Sequence, residues 1–499
     1  MRLYLSFLFI FTVKIFFSQK KIEIIHADAL KYNKFIDANR LLGNVVCKHE
    51  STLFYCDSMY LYSNQSLRAF GNIRIVSDSL IITSENLFYD ASTKLATLEK
   101  NVQCSDNQIR LTTEILQFHT QEHYAYYPSK ALIIRKDMQL SSRQGYYYSK
   151  NKTLAFKNEV ELQSPDYTIK TDTLFYYTIT DIAHFNAPTI ILMNKDYLYC
   201  EKGWYDTKNK KAYFSKNPML FSDNKKLYAD SLYYDEVKNT GYAYNHIRMI
   251  DSSQTNIIYG NYGVYDRMNE KAMITQHPVW IHYNETLEND QAHTKDTILI
   301  TCDTMHYEKP DSHVVVKCIH HSRLYHPQFQ ASSENILYNE KDSAIHFIQS
   351  PKCWFQKNQA KSRKITLYLK NKSIDKIALD SNVIIMQEAD TIYHNKFNQI
   401  AGRKMNVYFR KDSIQSINVD GNAQVYYFLK NEAGQWTGLN KAKCSKIQVH
   451  FQNNEIFKIS FIDNPESILI PIKKIQPEKE RLPDFQWEPH LRPKRNEMY

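Results

Sequence analysis

Apolar and polar residues alternate in short runs along most of this chain, with Leu232 and Tyr234 on one parity and Ser231 and Tyr233 on the other. A side-chain period of two is that of a strand with one buried face. No long stretch beyond the first residues places apolar positions at i, i+3, i+4 and i+7, so helices are not expected. The alternation is itself repeated. A small residue, then Asp or Glu, any residue, Leu or Met, any residue and usually Tyr recur as Ala27-Asp28-Ala29-Leu30-Lys31-Tyr32, Ser84-Glu85-Asn86-Leu87-Phe88-Tyr89, Thr171-Asp172-Thr173-Leu174-Phe175-Tyr176 and Ala229-Asp230-Ser231-Leu232-Tyr233-Tyr234. Looser copies begin at Cys56-Asp57, Thr113-Glu114, Cys200-Glu201, Cys302-Asp303 and Ser333-Glu334. The acidic positions 28, 57, 85 and 114 stand about 29 residues apart, a spacing typical of repeat arrays.

A second half-repeat follows each first one. Asn or Pro precedes an apolar residue in Gly43-Asn44-Val45, Gly71-Asn72-Ile73, Asn101-Val102, Asn158-Glu159-Val160, Asn217-Pro218-Met219 and His277-Pro278-Val279. Asn and Pro suit a bend, and the apolar residue resumes the buried face. Polar turns such as Asp206-Thr207-Lys208-Asn209-Lys210 separate the halves, so each repeat reads as two strands. The predicted fold is all-β, a long stack of hairpins with one strand face lining a shared interior. Regularity breaks at a polar insert, 284–297, and loosens after about 350. From Pro471 the chain becomes Pro-rich and charged, an extended tail of disorder-prone composition in which Phe485 and Trp487 are candidates to dock on a partner or on the array's own end. The expected layout is 1–18 as leader, 19–283 and 298–470 as β segments flanking the insert, and 471–499 as tail.

Composition agrees: Tyr 37 and Phe 25 are high, while Gly 11 and Pro 14 are low. The net charge of +10 suits an anionic partner, but no basic block interleaved with aromatics marks a nucleic-acid binder. Arg2, the apolar run Leu3 to Phe17 and the small Ser18 follow the order of an export signal cleaved near Ser18. The eight cysteines have no metal spacing, and Cys47 with Cys56 is a candidate disulfide in an oxidising compartment. No nucleophile elbow, phosphate loop, dinucleotide fingerprint or zinc-protease motif occurs. The carboxylates recur in nearly every repeat, whereas a catalytic pair would be singular, so they read as hydrogen-bonding groups at a bend. His306, His313, His320, His321 and His326 are the one metal-like cluster, yet alternation places His320 and His321 on opposite faces. Neither an enzyme nor a cofactor is expected.

The inward positions are Leu30, Leu87, Leu174 and Leu232 from the first half-repeat, with Val45, Ile73, Val102 and Val160 from the second. They form either the core of a closed sandwich or an apolar groove. The repeated small-Asp-x-Leu-x-Tyr strand, the turns at Gly43-Asn44-Val45 and Gly71-Asn72-Ile73, and the export signal resemble the OstA-like (organic solvent tolerance) family. That family includes the periplasmic bridge protein of lipopolysaccharide transport and the N-terminal domain of the outer-membrane translocon. The resemblance is clear over residues 22 to 280 and weaker to about 470. It implies an elongated antiparallel β-jellyroll, V-shaped in section, with the eight apolar residues holding acyl chains. It also implies a periplasmic protein that bridges the two membranes for outer-membrane assembly. Partners would be lipopolysaccharide, other transport components stacked on edge strands, and further copies of the chain. A structural or adhesive surface array with a solid core is the alternative.

Overall fold

The computed structural model describes residues 22–499 other than 50, 78–79, 107, 194, 223, 284–296, 310–312, 371–372, 390–394, 411–412, 453–454 and 477–478. The leader and nearly all of the polar insert lie outside the described residues. Forty strands are present among the described residues, with no α-helix. Neighbouring strands pair antiparallel, as expected. The chain forms two compact units. The first runs to Asp223 and takes in Tyr228–Gly241; the second comprises Asn224–Leu227 and Tyr242–Tyr499.

The building block is a long strand bent in its middle. In strand Ala38–His49, pairing with Thr52–Tyr62 runs from Ala38 opposite Tyr62 to Leu42 opposite Ser58, then resumes at Val45 opposite Cys56. The two residues between, Gly43 and Asn44, have φ of 72° and 45°, in the left-handed region. Two residues therefore oppose one, a bulge that redirects the strand. The same left-handed pair recurs at Gly71-Asn72, Lys100-Asn101, Asn158-Glu159, Lys216-Asn217, His320-His321 and onward to Asp463-Asn464.

The recurrent acid holds this bend. Asp28 donates its backbone N–H to the Gly43 carbonyl at 3.0 Å, and its carboxylate accepts from Asn44 Nδ2 at 3.0 Å. Equivalent side-chain bonds join Asn72 to Asp57 at 3.0 Å, Asn101 to Glu85 at 2.6 Å and Asn217 to Glu201 at 3.0 Å. Where proline enters the bend, its missing N–H interrupts the ladder. Pro188 separates Ile182–Phe185 from Thr189–Met193, and Pro218 separates Lys211–Ser215 from Met219–Ser222.

Each bend divides its strand between two walls that meet at a ridge. The hairpin turns join half-strands of the same wall, and one column of turns is stitched across repeats. Thr120, Thr178 and Thr207 donate both backbone N–H and Oγ1 to the carbonyls of Lys94, Lys152 and Asp181. In the second unit, strands Val279–Tyr283 and Thr297–Thr301 pair directly as the two sides of a hairpin across residues 284–296.

The tail is ordered against the second unit. Leu482 packs with Ile384 and Met386, and the Phe485 and Trp487 rings lie 5.0 and 5.4 Å from that of Phe397. Proline and charge content alone suggested a segment without a fixed place. Buried glutamines on the sheet supply partners for its backbone, as set out below.

Candidate functional site: the interior between the walls

The interior is defined by which half-strand residues point between the walls. In the first unit, Phe54, Ile75 and Ile82 of one wall and Leu87, Leu98 and Phe118 of the other line a single apolar cavity. The walls therefore face each other, and alternation fixes which residues do so. In the first wall the inward residue is the Leu two places after the acid. Leu87 is 4% exposed, Leu174 1% and Leu232 7%. In the second wall it is the residue immediately after the bulge: Val45, Ile73, Val102 and Val160 are 0–2% exposed.

Leu30 departs from the set, with 61% of its surface exposed. Its strand, Ala29–Asn33, pairs with Ala38–His49 alone among the described residues, so no preceding repeat covers it. The seven buried candidates flank the bulges and thus line the vertex of the V. Farther from the ridge the inner faces carry larger groups, Ile82, Phe118, Ile169 and Tyr176, all buried. The repeat motif did not single these out, although the same alternation reaches them: Ile82 and Ile169 stand three places before their acids. The second unit has an interior of the same kind, in which Phe329, Ala331 and Ile385 pack with Leu367, Met405 and Val419.

Both interiors are filled with side chains. Two cavities of the first unit have volumes of about 20 and 60 Å³. A single water needs ~10–15 Å³ of such a cavity, so each has room for a few waters at most and neither holds an alkyl chain as it stands. Among the described residues the walls are connected covalently only through the ridge, because each hairpin turn joins half-strands of one wall. Separating them as a hinged pair leaves the pairing within each wall intact.

The titratable groups act as structure. All eight cysteines are buried and free. Cys47 and Cys56 are not bonded, because the register places Cys47 opposite Phe54 and Cys56 opposite Val45. Burial pushes the thiols of Cys56, Cys104 and Cys200 up to about 12, the reverse of an activated nucleophile. His320 and His321 are not on opposite faces, since both are left-handed residues of a bulge and lie exposed on the ridge. His321 Nδ1 is 2.8 Å from Asp303 Oδ2, and His320 Nδ1 is 3.7 Å from Glu334 Oε2. The Asp303 carboxylate raises the His321 pKa. Among the described residues no group of three or more potential metal ligands assembles.

The outer face of the first wall carries a column of half-exposed rings that the repeat motif hardly announces. Tyr126 and Tyr146 stack at 4.4 Å, Trp204 and Tyr213 at 6.2 Å, and Arg68 lies 5.6 Å over the Phe88 ring. Cross-strand register aligns these rings, which makes packing along the sheet their first role.

Taken together, the fold and its interior define an antiparallel β-repeat protein with an apolar interior packed between two walls. Residues 19–172 match the model of the family described as OstA-like protein, so the resemblance read from the sequence holds over that stretch. Beyond residue 172 the bulge geometry continues, and a full copy of the motif stands at Ala229–Tyr234. A search of the curated proteins finds no match. A similar solved structure is the crystal structure of LptH from Pseudomonas aeruginosa, an LptA homologue and periplasmic component of the lipopolysaccharide transport device. It is 10% identical, covers 29% of this chain and 95% of its own, and gives a TM-score of 0.22.

Proposed function

We propose that this chain is a periplasmic protein of lipopolysaccharide transport whose walls part to take acyl chains between them. The observation that carries the reading is the apolar interior lined from both walls, in a chain whose first third matches the OstA-like family. Parting exposes side chains that now bury one another, and an acyl chain replaces those contacts at about 0.8 kcal/mol per buried methylene. No catalytic group is needed for such a carrier, and the recurrent carboxylates have a role at the bends. The export signal read from the sequence at 1–18 supports a mature protein beyond the inner membrane.

Bridging between membranes would use the strand edges. Ala29–Asn33 of the first unit and Glu466–Pro471 of the second each pair with one strand alone among the described residues. Leu30, Tyr32, Ile468 and Leu469 are exposed there. An exposed apolar edge is suited to β-augmentation by a transport component or a further copy. A solid-core scaffold is the second reading, and the small cavity volumes favour it.

Photo-crosslinking in cells separates the two. A photoreactive residue at Leu87, Leu174, Leu232, Ile82 or Phe118 should yield lipopolysaccharide adducts, more strongly at the last two, farther from the vertex. Exposed Lys208 is the outward control. Adducts at none of the inward sites, in a protein shown to be folded and exported, would establish the scaffold instead.

A further inference from the structure

The outer face of the second unit is occupied by the chain's own C-terminal segment, which runs across the strands rather than along them. Its contacts follow a single cross-strand register column. Gln330 lies opposite Trp354, Trp354 opposite Gln359, Gln359 opposite Met386, and Met386 opposite Gln399. The neighbouring residues Ala331, Cys353, Ala360 and Ile385 belong to the interior cluster, so this column faces outward.

Three glutamines of the column are 0–3% exposed, unusual burial for a polar side chain on an outer face. Two of them read the backbone of the tail in the same way. Gln399 donates Nε2 to the Glu480 carbonyl at 2.8 Å and accepts the Leu482 N–H on Oε1 at 2.7 Å. Gln359 donates to the Gln486 carbonyl at 2.7 Å and accepts the Glu488 N–H at 2.8 Å. Each amide thus bridges residues i and i+2 of the tail, a pattern independent of side-chain identity. The third, Gln330, accepts from Arg492 Nε at 2.7 Å. Lys352 pairs with Glu488 at 2.6 Å, both side chains mostly buried. At the far end Met498 is 1% exposed among Ile257, Val279, Ile281 and Leu299.

We propose that residues 479–499 are a strap that braces the outer wall of the second unit across its strands and keeps that unit's interior shut. A wall packed on both faces resists bending more than one packed on its inner face alone, because flexing it breaks contacts on both sides. In the first unit the corresponding outward residues Leu132, Ile190 and Leu192 are 36–41% exposed. The second unit is therefore the stiff member and the first the one that opens; this last step rests on the lipid reading above, while the brace itself does not.

The test keeps the full chain and makes the strap releasable. A protease recognition sequence is inserted between Lys474 and Ile475, and hydrogen exchange of strand amides is followed before cleavage, after cleavage and removal of the strap, and after adding back a synthetic 475–499 peptide. Removal should speed exchange in Lys352–Phe355 and Asn358–Lys361 at least tenfold, leave Leu80–Asp90 unchanged, and be reversed by the peptide. In the uncut chain, Gln359→Ala with Gln399→Ala should speed exchange in the same strands, and peptide rebinding to this variant should weaken by at least tenfold. Unchanged exchange with the strap removed would overturn the proposal, and so would an equal rise in both units. Lipopolysaccharide adducts at Ile82 and Phe118, measured separately, report on the lipid reading: their absence alongside a positive exchange result would remove that reading and leave the brace standing.

Discussion

Replacing Gly71 by alanine should destabilise the first unit by about 2–3 kcal/mol, and changing Asp57 to glutamate should recover about half of that loss. Gly71 has φ of 74° and is the first of the two left-handed residues in its bulge. An alanine there costs ~1–2 kcal/mol for the backbone conformation alone. The added Cβ would also run into the Asp57 carboxylate, 2.8 Å from its Cγ and closer still to Oδ2. That carboxylate accepts the Asn72 Nδ2 hydrogen bond at 3.0 Å. Displacing it forfeits a hydrogen bond to a charged group, taken at about 1 kcal/mol because the site is solvent-exposed. The rescue follows from other repeats. Gly43 and Gly71 oppose aspartates, whereas Lys100, Lys216 and Gln349 occupy the same bulge position opposite Glu85, Glu201 and Glu334. A glutamate carboxylate stands one methylene farther from its own backbone and leaves room for a Cβ. His320 opposite Asp303 departs from this pairing, and nothing in the structure explains it. The assay is a double-mutant cycle in urea, with hydrogen exchange in Leu67–Ser77 and Leu80–Asp90 to localise the effect. A Gly71→Ala loss below about 0.5 kcal/mol, or strictly additive effects of the two changes, would refute this account of the bend.

Other consequences are more direct. Leu98→Ala, at a site 1% exposed and lining the 20 Å³ cavity, should cost about 3 kcal/mol, read as a lower urea midpoint. All eight thiols are buried and should resist alkylation in the native reduced protein at pH 8 and react once unfolded; burial disfavours the thiolates of Cys104 and Cys353, and rapid native labelling of either would contradict the packing. By NMR, His321 should titrate above the ordinary 6.5, and Asp303→Asn should bring it back. Because the folded pKa is raised, any stabilisation from this pair is complete below the unfolded value and fades as pH rises through the folded one. His346 should titrate below 6.5, since burial disfavours its charged form, and its folded environment therefore loses stability as pH falls. A titration of His346 above 6.5 would overturn that assignment.

Alternation and spacing determined the strand class, the two-strand repeat, the use of the acid at a bend and the inward parity of Leu87, Leu174, Val102 and Val160. Those features depend on neighbours within one repeat or the next, and local pattern records them. Tertiary structure decided what local pattern cannot. Leu30 carries the full motif yet is exposed, because burial needs a preceding strand and none is paired there among the described residues. His320 and His321 share the ridge because two left-handed residues suspend the period of two. Cys47 and Cys56 are close in sequence but meet other partners in register. The Pro-rich tail found its place because Gln359 and Gln399, distant in sequence, align across strands and bond to its backbone. Periodicity fixes which way a side chain points; only the packing of one strand on the next determines what it meets there.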